Sequence, residues 1–179
     1  MRPFFILIIL LAQSTTLLSQ CYHIQERPYY PDPFSGGTGF LLNDDIHSSV
    51  VDIGFPFCFF GDTVSKCVIS SNGYFSFDTT LANSLSPWGI NTAIPSNMNP
   101  LFSIMGPWQD LNPQVGGGIE YATYGVAPYR RFVVSYSDLA MFSCTSIDFS
   151  NQIVIYESLN IIDINIRDKQ LCETWNGGN

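Results

Sequence analysis

The sequence predicts an all-β fold, an antiparallel β-sandwich stabilised by disulfides, and three observations predict it. Short runs rich in valine, isoleucine and aromatic residues recur between Gly-Asp, Asn-Gly and proline-rich turn signals. No window holds its apolar residues on a sustained 3.6-residue period, so helices should be few. Five cysteines follow a leader of the export type, which places them where thiols tend to pair.

The leader is residues 1–20, "MRPFFILIILLAQSTTLLSQ". Arg2, an apolar run from Phe4 to Ala12 and small polar residues make a secretory signal peptide. The run falls short of the roughly 20 apolar residues that span a bilayer, so no membrane insertion is expected after its removal. Cleavage around Ser19 or Gln20 leaves about 159 residues, one domain burying roughly 70% of its extended-chain surface. "LLSQC" invites lipid attachment at Cys21, but Gln20 stands where that signal wants a small residue. The formal net charge is −8, and loss of the leader removes only Arg2 among charged residues. That acidity excludes nucleic-acid and anionic-membrane binding, which need basic patches. With 14 Phe and 9 Tyr against 12% charged residues, disorder is excluded too.

Residues 21–43 carry three prolines and read as an extended, turn-rich lead-in, with the sandwich in residues 44–179. "FCFFGDTVSKC" reads as a hairpin with Asp62-Thr63 at its tip. That register sets Cys58 opposite Cys67 in a non-hydrogen-bonded pair, where Cα atoms about 4.5 Å apart can carry a disulfide. Two buried thiols are the other reading. From Thr79 to Asn112 the chain is loop-like apart from "LFSIMG", and long loops in compact domains are often functional. Trp88, Trp108 and Asp110 lie there, with the tryptophans otherwise serving to cover an open end of the sandwich.

Gly116–Gly118 lacks the Lys and Ser/Thr of a phosphate loop and should bend the chain into the next strand. Strands follow at Ile119–Tyr124 and Arg131–Ser137, joined across "GVAPY". "NQIVIYESLNIIDINIRDKQLC" gives another pair, turning near Ser158 to Asn160. Within it Ile162, Ile164 and Ile166 should face the core, and Asp163, Asn165 and Arg167 the solvent. Cys144 and Cys172 sit at the two mouths of this hairpin. Their bridge closes a loop of about 29 residues, worth about 3.6 kcal/mol, and ranks above Cys58 with Cys67. Cys21 is left as the odd cysteine.

Catalytic signals are weak. His23 and His47 have no nucleophile motif nearby and read as exposed bystanders. A carboxylate pair, Asp110 with Glu120 or Asp78, lacks any sequence feature that places it across a cleft. No CxxC or ligand spacing supports zinc. Asn43, Asp44 and Asp45, or Asp110 and Asn112, offer oxygens for calcium, but no spaced ligand pattern accompanies them. No catalytic residue, metal or cofactor is therefore assigned.

"DIHSSVVDIGFPFCFFGD", "CVISSNGYFSFD", "GPWQDLNP", "APYRRFVVSY" and "QIVIYESLNIIDINIRDKQLCETWNGGN" together resemble the nidogen-like extracellular β-sandwich. The form they resemble most stands at the front of secreted surface proteins of gliding-type bacteria, the gliding-motility-associated and type IX-secreted group. The resemblance implies a non-catalytic adhesion or structural module, secreted or on the bacterial outer cell surface. Its partners would be an extracellular protein or glycan and further domains of its own parent chain. In that family the "WNGGN" turn leads into another strand and further modules. The resemblance thus implies a sandwich lacking its last strand through truncation, the N-terminal fragment of a longer protein. The alternative is a carbohydrate-binding sandwich using Trp88, Trp108 and Tyr129 as stacking platforms.

Overall fold

Val51–Phe59 (β2) shows how this chain builds a layer. Val51, Ile53, Phe55, Phe57 and Phe59 are buried, while Asp52, Gly54 and Pro56 between them are exposed. That period of two gives one dry face along the whole strand. The computed structural model describes residues 22–40, 43–89 and 93–178. Its other strands are β1 (Thr38–Phe40), β3 (Asp62–Ile69), β4 (Tyr74–Ser76), β5 (Ser103–Met105) and β6 (Leu111–Asn112). They continue with β7 (Gly118–Tyr124), β8 (Arg131–Met141), β9 (Cys144–Tyr156) and β10 (Ile162–Asp168). Among the described residues the only helical turn is a 3₁₀ turn at Thr79–Leu81.

The strands form two antiparallel sheets. One runs β2-β3-β4-β5; the other runs β1-β7-β8-β9-β10, with β6 also paired to β8. Their inner faces share one core, in which Phe57 and Phe75 meet Phe132, Val134, Tyr136, Ile153 and Ile155. Phe75 of β4 and Phe132 of β8 touch edge to face across the two layers, centroids 6.0 Å apart. Each such ring contributes about 1.5–3 kcal/mol by burial. The fold is therefore the antiparallel β-sandwich that the strand and turn pattern predicts.

The lead-in is part of this body. β1 lies within it and pairs with β7. Residues before β1 strap the outer face of the larger sheet. The Asp32 amide donates to Gln152 Oε1 at 2.7 Å and Gln152 Nε2 donates to the Asp32 carbonyl at 3.0 Å. Arg131 pairs with the Asp32 carboxylate, and Arg27 with Asp163. This cover explains why β9 is buried without a break from Phe149 to Ile155.

Three expectations are corrected. The β2–β3 hairpin turns at Phe60-Gly61, not Asp62-Thr63, because Phe59 pairs with Asp62. Phe60 and Gly61 have φ of +49° and +97°, the handedness that suits a two-residue hairpin turn. The two-residue shift sets Cys58 opposite Thr63 and Cys67 opposite Val51, so Cys58 and Cys67 form no bridge. In β10, Ile164 pairs with Ile153 and so shares the inner side as predicted, but Ile164 and Ile166 are exposed there and Asn165, on the other side, is buried. β10 is the outer strand of its sheet, and beyond Ile162 the smaller sheet leaves its inner face uncovered.

The disulfide between Cys144 and Cys172 is present, with Cα atoms 5.8 Å apart. It fastens the segment after β10 to the start of β9, beside the β8–β9 turn. Gly117 shows why glycines precede β7: at φ +79°, a Cβ there would stand 2.4 Å from the Asp138 carbonyl oxygen.

Candidate functional site

Four separate stretches converge on one small cluster of carboxylates. Asp44 and Asp45 lie in the turn after β1, where Asp45 adopts a φ of +52°. Asp110 directly precedes β6, and its carbonyl accepts from the Phe142 amide at 2.9 Å. Each of the three carboxylates offers an oxygen within 4.8 Å of the others.

Asn72, in the "SNG" turn between β3 and β4, is the tie. Its Nδ2 donates to Asp45 Oδ1 at 2.9 Å and its Oδ1 accepts from the Leu111 amide at 3.0 Å. Asn112 Nδ2 stands 3.4 Å from Asp44 Oδ2. From the C-terminal turn, Trp175 Nε1 donates to Asp110 Oδ2 at 2.6 Å, and Asn176 Nδ2 reaches the same oxygen at 3.3 Å. Phe142 packs on the Trp175 ring with centroids 5.0 Å apart. The cystine at Cys172 thus holds Trp175 over Asp110.

Among the described residues no ion pair reaches the cluster. The four ion pairs among the described residues join Arg27, Arg130, Arg131 and Arg167 to Asp163, Glu157, Asp32 and Asp138. Burial, helped by neighbouring carboxylates, pushes Asp110 and Asp44 up to about 6. Asp45 is also raised by burial, against the opposing hydrogen bond from Asn72. Oδ1 of Asp110 and Oδ1 of Asp44 are buried without a hydrogen-bond partner. Asp110 as a residue is 2% exposed.

Beside the cluster lies a second polar knot. His47 is 2% exposed, not an exposed bystander. Its Nε2 meets Tyr74 Oη at 2.8 Å, and Tyr74 Oη meets Ser86 Oγ at 3.1 Å. Ser86 Oγ lies 2.6 Å from Ser70 Oγ. Burial lowers the His47 pKa. These groups satisfy one another and hold the loop that carries Asp44 and Asp45. His23 is exposed in the lead-in.

The three aromatic candidates do not share a face. Trp108 is 4% exposed, with its ring against Tyr74 and its Nε1 donating to the Pro87 carbonyl at 3.0 Å. It is a buried residue. Trp88 is just over a third exposed in the loop beside Pro87. Tyr129 is 74% exposed in the β7–β8 connection of the other sheet. Asp78 caps the 3₁₀ turn by accepting from the Thr80 amide, and Glu120 is exposed on β7. The carboxylates gathered with Asp110 are those of Asp44 and Asp45 instead. The sequence weighs Asp44-Asp45 and Asp110-Asn112 as separate oxygen sources, and the fold joins them.

Two stacked antiparallel sheets fastened by a cystine define a β-sandwich domain. Residues 22–179 match the family described as NIDO related, and the chain belongs to it. That family is one of extracellular, generally non-enzymatic modules of structural and adhesion type. No curated protein and no solved structure matches the chain. No helix among the described residues is long and apolar enough to cross a membrane.

Proposed function

We propose that the chain is a non-catalytic adhesion module of a secreted or cell-surface bacterial protein of the gliding-motility-associated, type IX-secreted kind. The bacterial setting rests on the motif resemblance alone. The adhesive role is supported by one surface feature. Phe60, at the β2–β3 tip, and Ile94, Met98, Leu101 and Phe102 expose apolar side chains at one corner of the smaller sheet. Most of them line a groove of about 530 Å³. Contiguous exposed apolar surface of this sort marks an interaction site, a protein partner among them. The carbohydrate alternative is not carried further, since Trp108 is inside the fold.

Beads coated with the protein should adhere to the cells that make it. A double variant, Phe60→Asp with Leu101→Asp, should lose at least tenfold of that adhesion while keeping its circular dichroism. Equal adhesion by the folded double variant would overturn the reading. Retention on insoluble polysaccharide, abolished by Trp88→Ala or Tyr129→Ala, would revive the alternative.

A further inference from the structure

We propose that Asp44, Asp45 and Asp110 form a binding site for a calcium ion. Two observations carry this, and they are independent of the adhesive surface. The first is span. Ca²⁺ holds oxygens at about 2.3–2.6 Å, so two ligands on one ion can stand about 5 Å apart, against about 4 Å for Mg²⁺. The carboxylate oxygens here lie within 4.8 Å of one another, close enough for one Ca²⁺ to gather all three with small side-chain shifts.

The second is the unpartnered oxygen. Asp110 is buried, yet its Oδ1 receives no hydrogen bond, while its Oδ2 is held by Trp175 and Asn176. Those two donors fix the carboxylate plane and leave one oxygen for the cluster, where Asp44 Oδ1 is likewise unpartnered. Leaving a buried acceptor unmatched costs about 1–3 kcal/mol, more for a charged group. Three carboxylates gathered with no lysine or arginine among them make that cost larger still. A divalent cation answers both, since it supplies two positive charges and ligates carboxylate oxygens gathered close together. Water completes the six to eight ligands that Ca²⁺ takes.

The site joins chain segments far apart in sequence, the turn after β1 and the start of β6. An ion there would cross-link the approach to the larger sheet, with Asn72 bracing it from the smaller one. Affinity in the range of extracellular modules, about 10⁻⁴–10⁻³ M, is expected.

The test uses the purified full chain, stripped with EDTA and titrated with CaCl₂ by calorimetry at neutral pH. One ion per chain should bind, and at 100 times Kd the Tm should rise by about 5–10 °C and fall back in EDTA. Tb³⁺ in the site should luminesce on tryptophan excitation, because Trp175 adjoins Asp110, and Ca²⁺ should quench the signal by displacement. Asp110→Asn should lose at least tenfold in affinity and the Tm rise. Asp44→Asn with Asp45→Asn should do the same, which settles the matter if Asp110→Asn does not fold. Asp148→Asn, an exposed carboxylate on β9, should bind as the parent does. A flat titration with equal Tm in Ca²⁺ and EDTA overturns the proposal. So does unchanged binding in the cluster variants.

Discussion

Trp175 Nε1 donates to Asp110 Oδ2 at 2.6 Å, across 65 residues of chain. This bond locks the C-terminal turn to the loop before β6, and it gives a buried carboxylate its best donor. Trp175→Phe keeps an aromatic ring beside Phe142 but removes the N–H together with the pyrrole half of the indole. We expect a loss of about 1–3 kcal/mol, the cost of stripping a partner from a buried acceptor. In urea unfolding the midpoint should fall with the slope unchanged. A midpoint within error of the parent's would show that Asn176 alone satisfies Asp110.

The cystine acts on the same turn from outside. Cys144 and Cys172 are 28 residues apart in sequence. Constraining the unfolded chain over that loop is worth about 3.6 kcal/mol in the chain-entropy view. Cys144→Ala with Cys172→Ala should lose about that much by urea unfolding. It should also slacken the Trp175 lock, so the double variant and Trp175→Phe should combine to less than the sum of their separate effects.

The architecture was legible in the sequence because β2, β7, β8 and β9 announce themselves as runs of β-branched and aromatic residues between turn signals. The partners of the polar residues were not. Asn72 reads locally as a turn residue in "SNG", and only the fold shows its side chain spanning Asp45 and the Leu111 amide. His47 reads as exposed because it follows two acids, yet the bridge of His47 to Ser70 pulls it inside. Phe60 misled the hairpin register, since a phenylalanine at positive φ is costly and rarely expected. Ile164 and Ile166 misled the β10 faces, because alternation tells which residues share a side and not whether a second sheet covers it.

The hairpin register has a chemical consequence. Cys67 is a buried free thiol among core residues, and burial with the nearby Asp52 pushes its pKa well up. A thiol so placed has almost no thiolate and no access to reagent. In native buffer without reductant, Cys67 should resist iodoacetamide for hours; in denaturant, still unreduced, it should alkylate fully. Peptide mapping should find Cys144 and Cys172 linked and alkylated only after reduction. A Cys58–Cys67 cystine peptide would show the shifted register to be wrong.

The acidic cluster makes stability depend on pH when no divalent cation is present. The Asp44 and Asp110 carboxyls rise from an ordinary 3.8 to about 6 in the folded chain, chiefly through burial. Between those values the folded chain holds protons that the unfolded chain has released, so acid favours folding there. Their contribution is complete below about 3.8 and is lost as the pH climbs through about 6. His47 runs the other way in the same window. Burial lowers it from 6.5, so the unfolded imidazole is protonated first and stability falls as the pH drops below that value. Glu157, held down by Arg130, acts only at lower pH. Comparison with Asp110→Asn in EDTA separates the cluster from the histidine, which both proteins share. Moving from about pH 5 to about pH 7.5, the asparagine variant should gain on the parent by about 1 kcal/mol, after allowance for solvent screening. Urea midpoints at the two pH values read this directly, and parallel pH profiles for the two proteins would show that Asp110 is already ionised and compensated in the fold.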